Sequence, residues 1–481
     1  MDRRRFLAGT AGATLAAALG GHGAAGAQPP TALAVERRTI EVRGRAAPVF
    51  GILRPDGGHG LELGPGEPFR VELANRIGEP TIVHWHGQRA PYLQDGVADA
   101  NRPLLAAGAV QPYAFAPTPG THWMHAHHGL HEQALLAAPL IVRTAEDARA
   151  DMQEATVLLH DFTFRDPAEI LADLTGGAMA GGHAMHAMHG AAGAEPAAAP
   201  GEAAGGHAMH GMDLNDVAYD AFLANDRTLD DPLVVPVERG GRVRLRLING
   251  AASSAFWIDL GAHRATLAAV DGMAVEPLAG STFPLTPAQR LDLVLEVPAG
   301  VAVPVLAQLE GARSRTGLVL AAPGAPVARL EDEAREAAPP VDLGLEARLR
   351  AIAPLPARPA DARFTLELGG GMAPYAWSID GQLWPDAARP TVRAGQRVHV
   401  TMTNRSAMAH PMHLHGHPFQ VVELNGKPLA GAVRDTVLVP IMGSVTVAFD
   451  ADNPGRWPLH CHNLYHMLTG MMTEVVYEGF A

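Results

Sequence analysis

The sequence predicts an all-β chain made of three homologous β-sandwich domains, and three observations carry that reading. The 52 glycines and 39 prolines, about a fifth of 481 residues, favour many short strands and turns over long helices. Apolar residues make up 47% and charged residues 18%, so most of the chain can pack a core, and its length has room for about two to four domains. One pattern also recurs three times: a Gly, then apolar residues alternating with polar ones, then an Asn nine positions after the Gly, at Gly66 to Asn75, Gly240 to Asn249 and Gly395 to Asn404.

Residues 1–27 precede these units. A charged start at Arg3, Arg4 and Arg5, an Ala/Gly/Leu-rich stretch and a small-residue site at Ala25-Gly26-Ala27 read as an export signal. Arg3-Arg4-Arg5-Phe6-Leu7 is similar to the twin-arginine type, whose pathway carries folded proteins. No later run of about 18 apolar residues follows, so a soluble exported protein with no membrane span is expected. The formal net charge of −13 argues against a nucleic-acid partner, whose phosphates need a basic surface, and suits cationic partners such as metal ions.

In the repeated strand Val243, Leu245 and Leu247 alternate with Arg242, Arg244 and Arg246, the pattern of a half-buried strand. A second strand ending in Gly follows each Asn: His84-Trp85-His86-Gly87, Ile258-Asp259-Leu260-Gly261 and His413-Leu414-His415-Gly416. The first and last units match again at their ends, where Gly120 precedes His125-Ala126-His127 by five residues and Gly455 precedes His460-Cys461-His462 by five. His131 and His466 lie four residues beyond each pair. Expected domains are 28–145, 146–340 and 341–481, the middle one an apolar spacer at the histidine positions. Residues 176–214 interrupt the middle unit. They hold five Met and five His among Ala and Gly and lack the branched and aromatic residues of a core, so they read as an insertion.

On a strand, alternate side chains share a face, so each His-x-His pair can reach neighbouring metal ions; four pairs supply eight imidazoles. Alternation turns Cys461 to the face opposite His460 and His462. As the sole cysteine of an exported chain it cannot form an internal disulfide. Its companions are His410, His466 and Met471, and a thiolate, two imidazoles and a thioether select a blue-copper electron-transfer site. Zinc would use the same Cys and His chemistry but gains little from a thioether.

With these motifs the chain resembles the multicopper oxidases over nearly its whole length after the leader. Tyr219-Asp220-Ala221-Phe222-Leu223-Ala224-Asn225 and His460-Cys461-His462-Asn463-Leu464-Tyr465-His466-Met467 look like the copper resistance protein A branch, whose members are typically periplasmic and carry Met-rich segments. The resemblance implies three cupredoxin-like Greek-key sandwiches and four copper ions. His410, Cys461, His466 and Met471 would hold type 1 copper; His84 and His413 the type 2 copper; His86, His125, His127, His415, His460 and His462 the type 3 pair. Ala126 and Leu136 stand where Cys461 and Met471 do, so His131 reads as a relic of a lost type 1 site, and His122 and His128 as structural.

The implied reaction is four one-electron oxidations coupled to reduction of dioxygen to water. Asp95 matches the family's carboxylate beside the cluster, a proton-delivering residue; the position just after the type 1 His, acidic in many members, is Met467 here. Met179, Met185, Met188, Met209 and Met212, with the interleaved His, could gather extra cuprous ions. Oxidation of Cu(I) in copper tolerance is the leading expectation. A laccase-like oxidase of small phenols and a non-enzymatic copper-sequestering protein are the alternatives.

Overall fold

The computed structural model describes residues 29–99, 102–150, 152–176, 214–238 and 241–480. The export signal and the insertion's five Met and five His lie outside the described residues. Strands dominate, and the α-helices among the described residues are short: Ala145–Arg149, Pro167–Leu174 and Leu464–Leu468. None is long and apolar enough to cross a membrane.

Three separate apolar cores each lie between two sheets. The first gathers Leu33, Val71 and Leu73 from one sheet and Trp85, Met124 and Leu140 from the other. In the second, Ile258 and Leu260 are buried where the outer units carry histidine, as the spacer reading expects. The third surrounds Trp377, Trp457 and Cys461, and Ile170, Leu171 and Val217 pack into it as well.

Each sandwich is opened by the same pairing. Its first strand runs parallel to the Gly-to-Asn strand, with Leu33 opposite Leu73, Val157 opposite Leu247, and Leu366 opposite Met402. The Asn that ends this strand has a physical reason to recur. Asn249 donates from Nδ2 to the carbonyls of Ser254 (2.9 Å) and Leu285 (3.0 Å) and accepts at Oδ1 from the Ala251 amide (3.0 Å). Asn75 and Asn404 are fully buried and make the same kind of clamp, so the turn into the second strand is held by one side chain in all three units.

The polar face of the middle strand differs from a solvated one. Arg246 is buried because it packs toward the first sandwich, donating to Thr121 Oγ1 there at 2.9 Å, while Asp292 and Glu154 on neighbouring strands of its own sheet pair with it at 2.9 Å. A buried guanidinium is tolerated here because carboxylates and a hydroxyl occupy its donors.

Candidate metal centre

The second strands bring the histidine pairs face to face. Val83–His86 pairs with Gly120–Ala126 so that His84 lies opposite His125, and His410–Leu414 pairs with Arg456–Cys461 so that His413 lies opposite His460. These hairpin-like pairs come from the first and third sandwiches and converge. All eight imidazoles are buried.

Three groups of ligand atoms result, each within 4.8 Å: His84, His86 and His413; His86, His125 and His462; His127, His415 and His460. The hydrogen bonds settle which ring nitrogen of several faces inward. The Nδ1–H of His84 donates to the Asp95 carbonyl (2.8 Å) and that of His413 to the Asp435 carbonyl (2.8 Å). A carbonyl only accepts, so these rings carry their proton on Nδ1 and leave an Nε2 lone pair free. His415 Nδ1 donates to Asp95 Oδ2 (2.8 Å) and His460 Nδ1 to the Cys461 carbonyl (2.9 Å). His86 is turned the other way: its Nε2 meets Asp435 Oδ1 (3.1 Å) and its Nδ1 is left without a partner.

Burial holds His84, His86, His127, His413, His415 and His462 well below the ordinary histidine range, and His460 falls to about 4 for the same reason. The rings are therefore neutral, the form that ligates metal. His415 Nε2 and His460 Nε2 stand 3.0 Å apart with both Nδ1 protons committed elsewhere, and His84 Nε2, His125 Nε2, His413 Nε2 and His462 Nε2 are buried without hydrogen-bond partners. Lone pairs facing lone pairs repel unless a cation lies among them, so these residues fit metal ions. Neutral nitrogen donors suit copper.

Another group sits in the third sandwich. Cys461 Sγ lies 3.7 Å from both His410 Nδ1 and His466 Nδ1, which are 3.1 Å from each other. Asn463 caps the Leu464–Leu468 helix through Oδ1 and so fixes the turn that presents His466. Met471 is fully buried beside the group; its amide donates to the His466 carbonyl (3.0 Å) and its carbonyl accepts from the Cys461 amide (3.1 Å). Burial pushes the Cys461 thiol up, so a thiolate here calls for a bound cation. Covalent bonds run from Cys461 to His460 and His462, one in each of two imidazole groups.

Asp95 is buried at the junction of the sandwiches, where burial pushes its carboxyl up to about 7. Gly96 makes that placement possible: it has φ +82°, and a Cβ there would lie 1.8 Å from the Val83 carbonyl oxygen. His131 stays outside the groups, with Nδ1 3.0 Å from Thr81 Oγ1, and His122 lies against Arg290. Sequence reading missed Asp435, held by Arg290 at 2.7 and 2.5 Å while it supports His86 and His413, and Ser406, whose hydroxyl is 2.7 Å from His410 Nε2. It also missed Asp216, 3.1 Å from His466 Nε2. None sits in a repeated motif.

Such a fold and donor set define an oxidoreductase that works through bound copper. The comparisons agree: three models described as multicopper oxidase match residues 35–147, 156–303 and 358–479. The chain is 31% identical to multicopper oxidase MmcO of Mycobacterium tuberculosis, covering 86% of this chain and 80% of that one. It is 24% identical to a copper resistance protein A homolog of Pseudomonas syringae pv. tomato, over 93% and 92% of the two chains. Among solved structures, Fet3p, a multicopper oxidase that functions in iron import, aligns with a TM-score of 0.72 at 16% identity over 93% and 90% of the chains. The laccase of Botrytis aclada aligns with 0.71 at 21% identity over 94% and 88%. The chain belongs to the multicopper oxidase family, and it is a copper-containing oxidoreductase.

Proposed function

We propose that four copper ions are bound, one at His410, Cys461, His466 and Met471, one at His84 and His413, and a pair at His86, His125, His127, His415, His460 and His462. The observation that carries this is the inward convergence of imidazole lone pairs from two sandwiches, with a buried cysteine standing in the chain between two of those histidines, His460 and His462. Copper held by these residues would supply one-electron transfer, coupling four oxidations of substrate to the reduction of dioxygen to two waters. The chain's own residues hold the rings in one tautomer, exclude bulk water by burial, and keep Asp95 at hydrogen-bonding distance from His415, where it can move a proton toward the cluster.

Cu(I) is the substrate we favour, as part of copper tolerance in the periplasm, with export by the twin-arginine route. A cavity of about 390 Å³ supports a small reductant. It reaches Ala409 and Pro411 on either side of His410, and its wall includes the thioethers of Met408 and Met442 and the carboxyls of Glu310 and Asp342. Soft sulfur suits a cuprous ion. The apolar lining from Leu214, Val341 and Leu438 favours the second reading, oxidation of a small phenol. The Met/His-rich stretch 176–214 would supply additional copper, and 28–145, 146–340 and 341–481 are our limits for the three units. Steady-state oxygen uptake with Cu(I) and with a phenol tests the assignment. Turnover of the phenol alone would overturn the cuprous reading, and a copper-to-protein ratio other than four would overturn the site count.

A further inference from the structure

Glu132 is a buried carboxylate that neither the motifs nor the reaction assigned. It lies in the turn between the Gly120–Ala126 and Ala137–Val142 strands, five residues past His127. Its Oε2 is 2.7 Å from His125 Nδ1, which also lies 3.0 Å from the Ala126 carbonyl oxygen, and its Oε1 is 3.8 Å from His462 Nδ1, outside hydrogen-bonding distance, and has no hydrogen-bond partner. His125 and His462 come from different sandwiches, yet with His86 they form one of the imidazole groups.

We propose that Glu132 is a positioning residue for the His86, His125 and His462 group: its carboxylate holds the Nδ1 sides of two rings and so aims both Nε2 lone pairs at one copper. This rests on the ligand assignment above. The unpartnered atoms agree with it, because Nε2 of His125 and Nε2 of His462 are both orphaned while their Nδ1 atoms face the acid. A carboxylate behind a metal-bound imidazole fixes its tautomer and raises its basicity.

Charge gives a second, independent reason. Imidazole ligands that bind through a neutral ring offset none of the charge of a multinuclear cation cluster. Asp435 is neutralised by its pair with Arg290, whereas the ion-pair contacts of Glu132 among the described residues are His125 and His462 alone. Asp95 stands in the same relation to His415, so each of the two three-histidine groups that draw on both sandwiches through a His-Cys-His residue has one carboxylate with no guanidinium in ion-pair contact.

The repeat explains why the position is available. Glu132 and Met467 occupy equivalent places, one after His131 and His466, and both line the same narrow space beside His127, His460 and Cys461. The first sandwich places its acid where the third places a thioether, and the docked sandwiches share it.

The test is copper retention by the holoenzyme, measured as copper per chain during challenge with a chelator, with the visible and EPR spectra recorded alongside. Glu132→Gln keeps the volume and loses the charge. It should weaken retention of one copper about 10- to 100-fold while the blue absorption of the Cys461 centre stays, and Glu132→Asp should retain copper better than Glu132→Gln. A Glu132→Gln protein that resists the chelator like wild type, or a Glu132→Asp protein that loses copper as readily as Glu132→Gln, would overturn the proposal. His125→Ala separates the two levels: if it loses a copper while Glu132→Gln does not, only the role of Glu132 fails, and if His125→Ala keeps full copper the ligand assignment itself fails.

Discussion

Asp95 Oδ2 and His415 Nδ1 are 2.8 Å apart although 320 residues separate them in the chain. The same aspartate accepts at its backbone carbonyl from His84, so one residue of the first sandwich orients an imidazole of its own unit and one of the third. Asp95→Asn keeps the shape but puts an amide where the carboxylate accepts. Oxygen consumption should fall about 10- to 100-fold while the blue band persists, which stopped-flow reoxidation with dioxygen would check.

Cys461 and His84 should separate the two kinds of centre. Cys461→Ser removes the thiolate 3.7 Å from His410 and His466, so the intense blue absorption and turnover with every substrate should vanish. His84→Ala should keep the colour and abolish oxygen reduction. Visible spectra of the two purified variants give the answer, and a blue Cys461→Ser protein would defeat the assignment.

The substrate cavity offers a discriminating pair of measurements. Met442 is 65% exposed at a wall that also carries Met408. Met442→Leu preserves apolar volume and removes the soft donor, so KM for Cu(I) should rise on the order of tenfold with little change for a phenol. Equal KM for Cu(I) in variant and wild type would remove the thioether from the substrate path.

His160 sets part of the acid limit of stability. Its ring is buried against the Gly250 carbonyl (2.8 Å), and burial lowers its pKa to about 4 from an ordinary 6.5. A histidine depressed in the folded state contributes stability that is present above about pH 6.5 and is lost as pH falls toward 4, up to about 3 kcal/mol at the lower end. His160→Gln should therefore flatten the dependence of Tm on pH between 6.5 and 4 relative to wild type.

The Asn clamp can be tested where no copper is near. Asn249→Ala deletes three buried hydrogen bonds and strands the carbonyls of Ser254 and Leu285. The expected loss is about 3 kcal/mol, readable by denaturant unfolding. A change below about 0.5 kcal/mol would mean that the repeat persists for another reason.

The parts of the site that could be read in the sequence are those set by local geometry. Period-2 alternation alone puts His460 and His462 on one face and Cys461 on the other, and the matched spacings of the first and last units mark which pairs belong together. Asp435, Arg290 and Glu132 were not legible, because what they touch depends on how one sandwich docks on another. Arg246 shows the same limit: its alternation with Leu245 and Leu247 is that of a solvated face, and only the neighbouring sandwich makes that face an interior. The fold class was legible for the opposite reason, since the Gly-to-Asn strand and its clamp lie within each unit.

The middle sandwich repeats the strand pairing, the Asn clamp and the second strand of its neighbours, with Ile258 and Leu260 standing in for imidazoles. There strand pairing, the Asn249 clamp and apolar packing hold the scaffold without an imidazole group. The sandwich form is therefore independent of the ligand pattern it carries: the same frame holds imidazoles at its second strand in the outer units and aliphatic side chains in the middle one.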